Sequence, residues 1–171
     1  MPDSRIQRGQ KWLEELLRLA QLPASVKEEK LETLTEKDDS EPDSYWLTID
    51  ETRLTPAQIQ ALIGVDGSAL DAIQYLANTT INLGQPPQQQ AAYTVELAGY
   101  RVQRQAELLE MAEYAVQQVR LTGKEFEMKS LSAAERRQVH TLLKDLTDLE
   151  TYSRGKEPDR RLVVRRRVEE F

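Results

Sequence analysis

Two glycines three positions apart, Gly64 and Gly67, fall between two segments that each carry the marks of a helix, and this interruption constrains the fold more than any other feature. Thr55-Pro56-Ala57-Gln58 supplies a capping hydroxyl, a proline at the first helical position and a glutamine at the third. It opens a helix whose buried side is Ile59, Leu62 and Ile63. After Gly64-Val65-Asp66-Gly67 a second helix starts at once, with Ser68 as its cap, Asp71 three residues on, and Leu70, Ile73 and Leu76 as its apolar stripe. Tyr45, Leu47 and Ile49 alternate with Trp46, Thr48 and Asp50 before this pair, and Tyr93, Val95 and Leu97 alternate after it, so strands flank it on both sides. The order strand, helix, Gly-x-x-Gly, helix, strand predicts an α+β unit in which helices cover a sheet.

The rest of the chain extends this unit and adds a second. Trp12, Leu13, Leu16, Leu17 and Ala20 recur at helical spacing, predicting an amphipathic helix over about residues 5–20. Residues 26–34 read as a weak third strand, followed by an acidic turn from Glu36 to Ser44, and Asn82 to Gln90 reads as a polar loop. A longer helix is predicted from about Tyr100 to Leu121, with Val102, Ala106, Leu109, Ala112, Val116 and Val119 on its buried face and Gly123 as its stop. Phe126 to Met128 suggests a short strand. Ser132-Ala133-Ala134-Glu135 forms a capping box that opens a helix through about Leu146. Leu149 to Arg154 and Arg161 to Arg165 read as strands joined by a turn with Gly155 and Pro158.

Composition removes several classes of function. Cysteine is absent and histidine occurs once, which leaves no thiolate or histidine cluster for zinc. No metal or cofactor is expected, and neither a Walker-type phosphate loop nor a nucleophile elbow occurs, so the chain is read as a non-enzyme without a small-molecule substrate. No stretch approaches the roughly 20 apolar residues that cross a bilayer, and the N-terminus lacks the regions of a signal peptide, so no membrane contact is expected and a cytoplasmic location is.

A net charge of −6 argues against a polyanionic partner until it is divided along the chain. Residues 1–100 hold 8 Lys/Arg against 16 Asp/Glu, whereas residues 101–171 hold 15 against 13. Arg154, Lys156, Arg160, Arg161, Arg165, Arg166 and Arg167 face only Glu157 and Asp159 before the terminal Glu169 and Glu170, which reads as a basic patch. On the helix before it, about 100° of rotation per residue places Arg136, Arg137, His140 and Lys144 in one sector, with Val139, Leu142, Leu143 and Leu146 opposite. A cationic helix face beside a hairpin bearing Tyr152, Arg154, Arg161 and Arg165 combines charge with an aromatic ring, as single-stranded nucleic-acid sites do.

The run Ile63 to Asn78, the segment Ala98-Gly99-Tyr100-Arg101 and the run Glu135-Arg136-Arg137-Gln138-Val139-His140 together resemble the bacterial Jag (SpoIIIJ-associated) family. The resemblance covers roughly residues 24–166. It implies an N-terminal helix over residues 1–23, a type II KH domain with a three-stranded sheet over 24–99, a connecting helix over 100–123, and a small α+β R-three-H domain with a basic tail over 124–171. The implied function is single-stranded RNA binding, as a post-transcriptional regulator or RNA chaperone-like factor. One contact would be the KH loop, Ile63 to Ser68, whose glycines let the chain turn tightly beside a sugar-phosphate backbone. The other would be Arg136 and His140, the pair that names the second domain, with Arg137, Lys144, Tyr152, Arg154, Arg161 and Arg165 around them. The sequence departs from the family at Val65-Asp66, where relatives carry a basic residue. A carboxylate on the phosphate path costs about 1 kcal/mol after screening, so the KH loop is expected to be the weaker site. The rival reading is a KH-derived protein-interaction or dimerisation module with weak or lost RNA binding, partnered by a second copy or another KH protein.

Overall fold

A computed structural model describes residues 3–30 and 42–168. The chain is α+β, with two separate three-stranded sheets, and divides into two compact units, Met1–Arg101 and Val102–Phe171.

In the first unit, α1 (Ser4–Leu19) begins where the Asp3 carboxylate accepts from the Arg5 backbone N–H at 3.0 Å. Asp3 also receives the Tyr45 hydroxyl, and the Arg5 guanidinium reaches Asp43 at 2.7 Å, so the helix start is tied to the sheet. The Arg5 guanidinium beside Asp3 holds that carboxyl well below the usual aspartate range. A Cβ at Gly9 would lie 2.6 Å from Cε1 of Tyr93, so only glycine lets the helix approach this closely. Leu13 and Leu17 are fully buried, each contributing about 2 kcal/mol through the apolar area it removes from water. The helix is thereby part of the core, not an appendage.

The sheet of this unit runs β1 (Val26–Lys30), β2 (Asp43–Ile49), β3 (Ala91–Leu97). β1 is antiparallel to β2 with Val26 opposite Ile49, and β2 is parallel to β3 with Tyr45 opposite Tyr93. A parallel pair needs a long crossover. Here α2 (Pro56–Ile63) and α3 (Ser68–Asn82) supply it. The capping box at Thr55 and Gln58 forms as predicted. Ser68 does not cap: Gly67, in the left-handed region, holds the N-cap position, and no side chain bonds the first turn of α3. Asp71 turns instead to Arg101 at 2.8 Å. Residues 31–34 of the expected first strand and 36–41 of the acidic turn lie outside the described residues.

Both edges of this sheet are guarded. β1 presents Lys27, Glu28, Glu29 and Lys30, all exposed. Along β3, Gln74, Asn78 and Asn82 of α3 act as a substitute strand. The Val95 N–H donates to Gln74 Oε1 at 2.9 Å, Tyr93 exchanges two bonds with Asn78 at 2.8 and 2.7 Å, and Ala91 exchanges two with Asn82 at 2.9 and 2.7 Å. Four residues of helix rise about 6 Å and two of strand about 6.7 Å, so the two repeats stay in register.

The second unit contains most of α4 (Tyr100–Thr122), then β4 (Phe126–Met128), α5 (Ala133–Leu143), β5 (Leu149–Arg154) and β6 (Arg161–Arg166), with the strands ordered β4-β6-β5 and both pairs antiparallel. Leu108, Ala112, Ala115, Val116 and Val119 of α4 are buried with Met128, Val139, Leu143, Leu149, Leu162 and Val164. Val102 and Leu109, expected on the buried face, are 61% and 45% exposed, and Ala106, expected there too, is exposed. The buried face of α4 begins at Leu108 and continues through Ala112, Ala115, Val116 and Val119, so at its start it is turned one residue away from the predicted stripe. The Ser132–Glu135 capping box forms, but α5 stops at Leu143, leaving Leu142 exposed and Leu146 half-buried. Among the described residues no helix is long and apolar enough to cross a membrane.

Candidate functional site

α5 packs along β5, and between them lies a groove of about 710 Å³ lined by Arg136, Arg137, His140, Thr141, Thr151, Tyr152, Ser153, Glu157 and Arg160, among others. Arg137 and His140 are exposed on the outer turns of α5. His140 Nδ1 is paired with the Thr151 hydroxyl across the groove, which fixes the ring against β5. Three arginines and an imidazole thus meet one carboxylate, Glu157, with the hydroxyls of Thr141, Thr151 and Ser153 beside them. Neither Arg137 nor Arg160 forms a side-chain ion pair among the described residues. A concave surface with this excess of donors suits an anion with several acceptor oxygens.

Arg136 departs from its expected place on an exposed cationic face. It is 5% exposed. Its Nη1 donates to the Leu131 carbonyl at 2.7 Å and the Arg160 carbonyl at 3.3 Å, and its Nη2 to the Glu157 carboxylate. The guanidinium therefore ties the segment before α5 to the turn between β5 and β6, and only one edge of it borders the groove. Lys144, expected on the same face, stands exposed at the C-cap of α5 and does not line the groove.

The hairpin arginines are not in the groove either. Strand alternation puts Arg154, Arg161 and Arg165, with the Tyr152 ring, on the opposite face of the sheet from Thr151 and Ser153, although Tyr152 also borders the groove. There each arginine has a partner. Arg154 bonds Glu125 at 2.8 Å, Arg161 bonds Glu127 at 2.7 Å and Arg165 bonds Glu150 at 2.5 Å. Arg154 holds the Glu125 carboxyl below the usual range, and Arg161, followed by Arg154, does the same for Glu127. The Arg165 and Arg154 guanidinium carbons lie 4.7 and 5.4 Å from the Tyr152 ring centroid. The basic patch read from residues 154–167 is thus divided on folding: three arginines are neutralised on one sheet face, Arg160 enters the groove, and Arg166 donates to the Arg120 carbonyl at 2.7 Å. Glu169 and Glu170 lie outside the described residues.

At the loop of the first unit, Val65 is 81% exposed and Asp66 is exposed with φ +52°, while Ile63 and Gly64 are half-buried and Gly67 is buried. Both glycines have local reasons to be there. Gly64 has φ +73° and ψ −179°, and a Cβ on it would meet the Ala69 backbone nitrogen at 2.7 Å. A Cβ on Gly67 would meet the Tyr100 ring. Ser68 is exposed at the start of α3. Among the described residues no group of three or more His, Asp or Glu could hold a metal ion.

The residues that sequence reasoning did not place at the site are Thr141, Glu157 and Arg160, together with Thr151 and Ser153, which the alternation of β5 could have separated from Tyr152, and the counter-charges Glu125, Glu127 and Glu150. The alternation Glu125-Phe126-Glu127 is a visible signal for two of these.

The unit that contains this groove matches a known domain class: residues 106–166, a stretch that includes Arg136 and His140, match the R-three-H domain. The chain is also similar to the RNA-binding protein KhpB of Bacillus subtilis, 30% identical over 113 residues that cover 65% of this chain and 53% of that protein. Its similarity to KhpB of Lactiplantibacillus plantarum is 30% over 103 residues, covering 60% of this chain and 31% of that protein. With KhpB of Clostridium symbiosum it is 28% over 103 residues, covering 60% and 46%. The chain spans about half or less of the length of these relatives.

Proposed function

We propose that this chain is a single-stranded RNA-binding protein, acting in the cytoplasm in post-transcriptional regulation, that holds the RNA backbone in the groove between α5 and β5. The observation that carries this reading is the convergence of Arg137, Arg160 and His140, with three hydroxyls, in one concavity inside the R-three-H segment. Each relative is named for RNA binding, which supports a binding role over a catalytic one. The domain plan that goes with it is an N-terminal helix (1–23), a type II KH domain (24–99), a connecting helix (100–123) and an R-three-H domain (124–171). For the KH assignment, the support is the order α-β-β-α-α-β and the mixed sheet in which β2 is parallel to β3. Asp66, exposed in the loop, keeps that domain the weaker contact.

The test is fluorescence anisotropy of a short single-stranded RNA titrated at several salt concentrations. Each phosphate neutralised contributes about −0.7 to the log–log slope, so contacts by Arg137 and Arg160 predict about −1.4. A slope near zero would contradict the reading. A second reading attaches to the first unit: no charged residue occurs between Asp71 and Glu96, and Tyr75, Leu76 and Leu83 are exposed there. Contact with a second copy or another KH protein in place of RNA would be selected only by a flat salt slope together with a dimer in sedimentation.

A further inference from the structure

We infer that the Glu157 carboxylate occupies the position of an RNA phosphate at Arg136, so that the groove carries its own competing anion. The inference rests on the groove being the RNA site. Of the two terminal nitrogens of Arg136, Nη1 is committed to the Leu131 and Arg160 carbonyls. Nη2 is the donor available to an incoming anion, and Glu157 holds it. The guanidinium side chain is 6% accessible and the Glu157 side chain 61%, which places the carboxylate between the arginine and solvent.

A carboxylate and a phosphodiester offer a guanidinium the same partner, two oxygens sharing one negative charge. Exchanging one for the other asks little of the protein. Glu157 lies in the turn between β5 and β6, outside the strand ladder, and the released carboxylate is already largely solvated. An exposed partner of this kind is held weakly, so several simultaneous phosphate contacts can displace it. Until it is displaced, Glu157 also cancels part of the field of Arg137 and Arg160, which line the same groove. The apparent RNA affinity is therefore the intrinsic affinity reduced by the fraction of molecules in which Glu157 has let go.

The experiment compares the full chain with Glu157→Gln and Glu157→Ala. Gln keeps an amide oxygen for Nη2, and thermal melts identify any variant that fails to fold. Binding of single-stranded RNA is measured across salt, and inorganic phosphate is titrated separately while the arginine side-chain resonances are followed by NMR. Both variants are expected to bind RNA about tenfold tighter at a similar slope, because the bound state of every form neutralises the same phosphates and only the competition by Glu157 is removed. Phosphate should shift the Arg136 resonance at lower concentration in the variants than in the wild type. Unchanged or weaker RNA binding would overturn the inference and leave Glu157 as a brace, and a loss confined to guanine-containing RNAs would make it a base contact instead. If the wild type binds no RNA at all, the proposed function fails, while the phosphate titration still decides the role of Glu157.

Discussion

Replacing Arg136 with alanine is expected to destabilise the second unit by about 3 kcal/mol, read as a lower urea midpoint by circular dichroism. The side chain is not a surface donor waiting for a ligand: it bonds the Leu131 carbonyl, the Arg160 carbonyl and Glu157, and so holds the segment before α5 against the β5–β6 turn. Truncation leaves the buried Leu131 carbonyl without its partner, at about 1–3 kcal/mol for a buried acceptor, and removes the packing of the aliphatic stem. Arg136→Lys should recover only part of the loss, because a single ammonium cannot reproduce a planar fork aimed at three oxygens. A change within about 0.5 kcal/mol, as for an ordinary surface residue, would mean that the guanidinium is not the tie described here. A loss of RNA binding in Arg136→Ala is consequently no measure of a contact with RNA, although the sequence alone suggests that reading.

Gly64→Ala is expected to cost a similar amount, about 3 kcal/mol, in the first unit. At φ +73° and ψ −179° the residue occupies a region essentially reserved for glycine. Its Cβ would lie 2.7 Å from the Ala69 backbone nitrogen and 2.8 Å from the Ala69 Cβ, and a main-chain neighbour cannot swing aside. The Gly64 N–H also closes α2 by donating to the Gln60 carbonyl at 2.8 Å. Val65→Ala, one residue further on and 81% exposed, should change the melting temperature little. Equal effects of the two substitutions would show that the loop conformation is not set by Gly64.

The elements were legible where local chemistry decides them. The capping boxes at Thr55 and Ser132, the alternation of β2 and β3, and the four-residue break at Gly64 to Gly67 all read correctly, because hydroxyls, carboxamides and glycines act on backbone within a few residues. The site was less legible, for a reason seen most clearly in Arg136. A helical wheel sets Arg136 beside His140, but it cannot show that the turn containing Glu157 and Arg160 folds over one of them and leaves the other open. Nor could the charge run of residues 154–167 show its own neutralisation, since Glu125 and Glu127 reach Arg154 only through the pairing of β4 and β5 with β6. The ladder of Gln74, Asn78 and Asn82 on β3 was hidden likewise: on the helix it is a polar stripe, and its purpose appears only beside an unpaired strand edge.

The central claim, that RNA phosphates are held in the groove and not on the open face of the sheet, is tested by two pairs of substitutions with the same change in net charge. Arg137→Gln with Arg160→Gln removes the two groove cations that have no ion-pair partner among the described residues, and Arg154→Gln with Arg165→Gln removes two that are matched by Glu125 and Glu150. Long-range attraction falls equally in both, so any difference reports direct contact. Anisotropy with a single-stranded RNA is expected to show a loss on the order of 100-fold and a flatter salt slope for the groove pair, against less than about threefold for the sheet pair. A sheet pair that loses binding while the groove pair keeps it would contradict the account and move the RNA to the face of Tyr152.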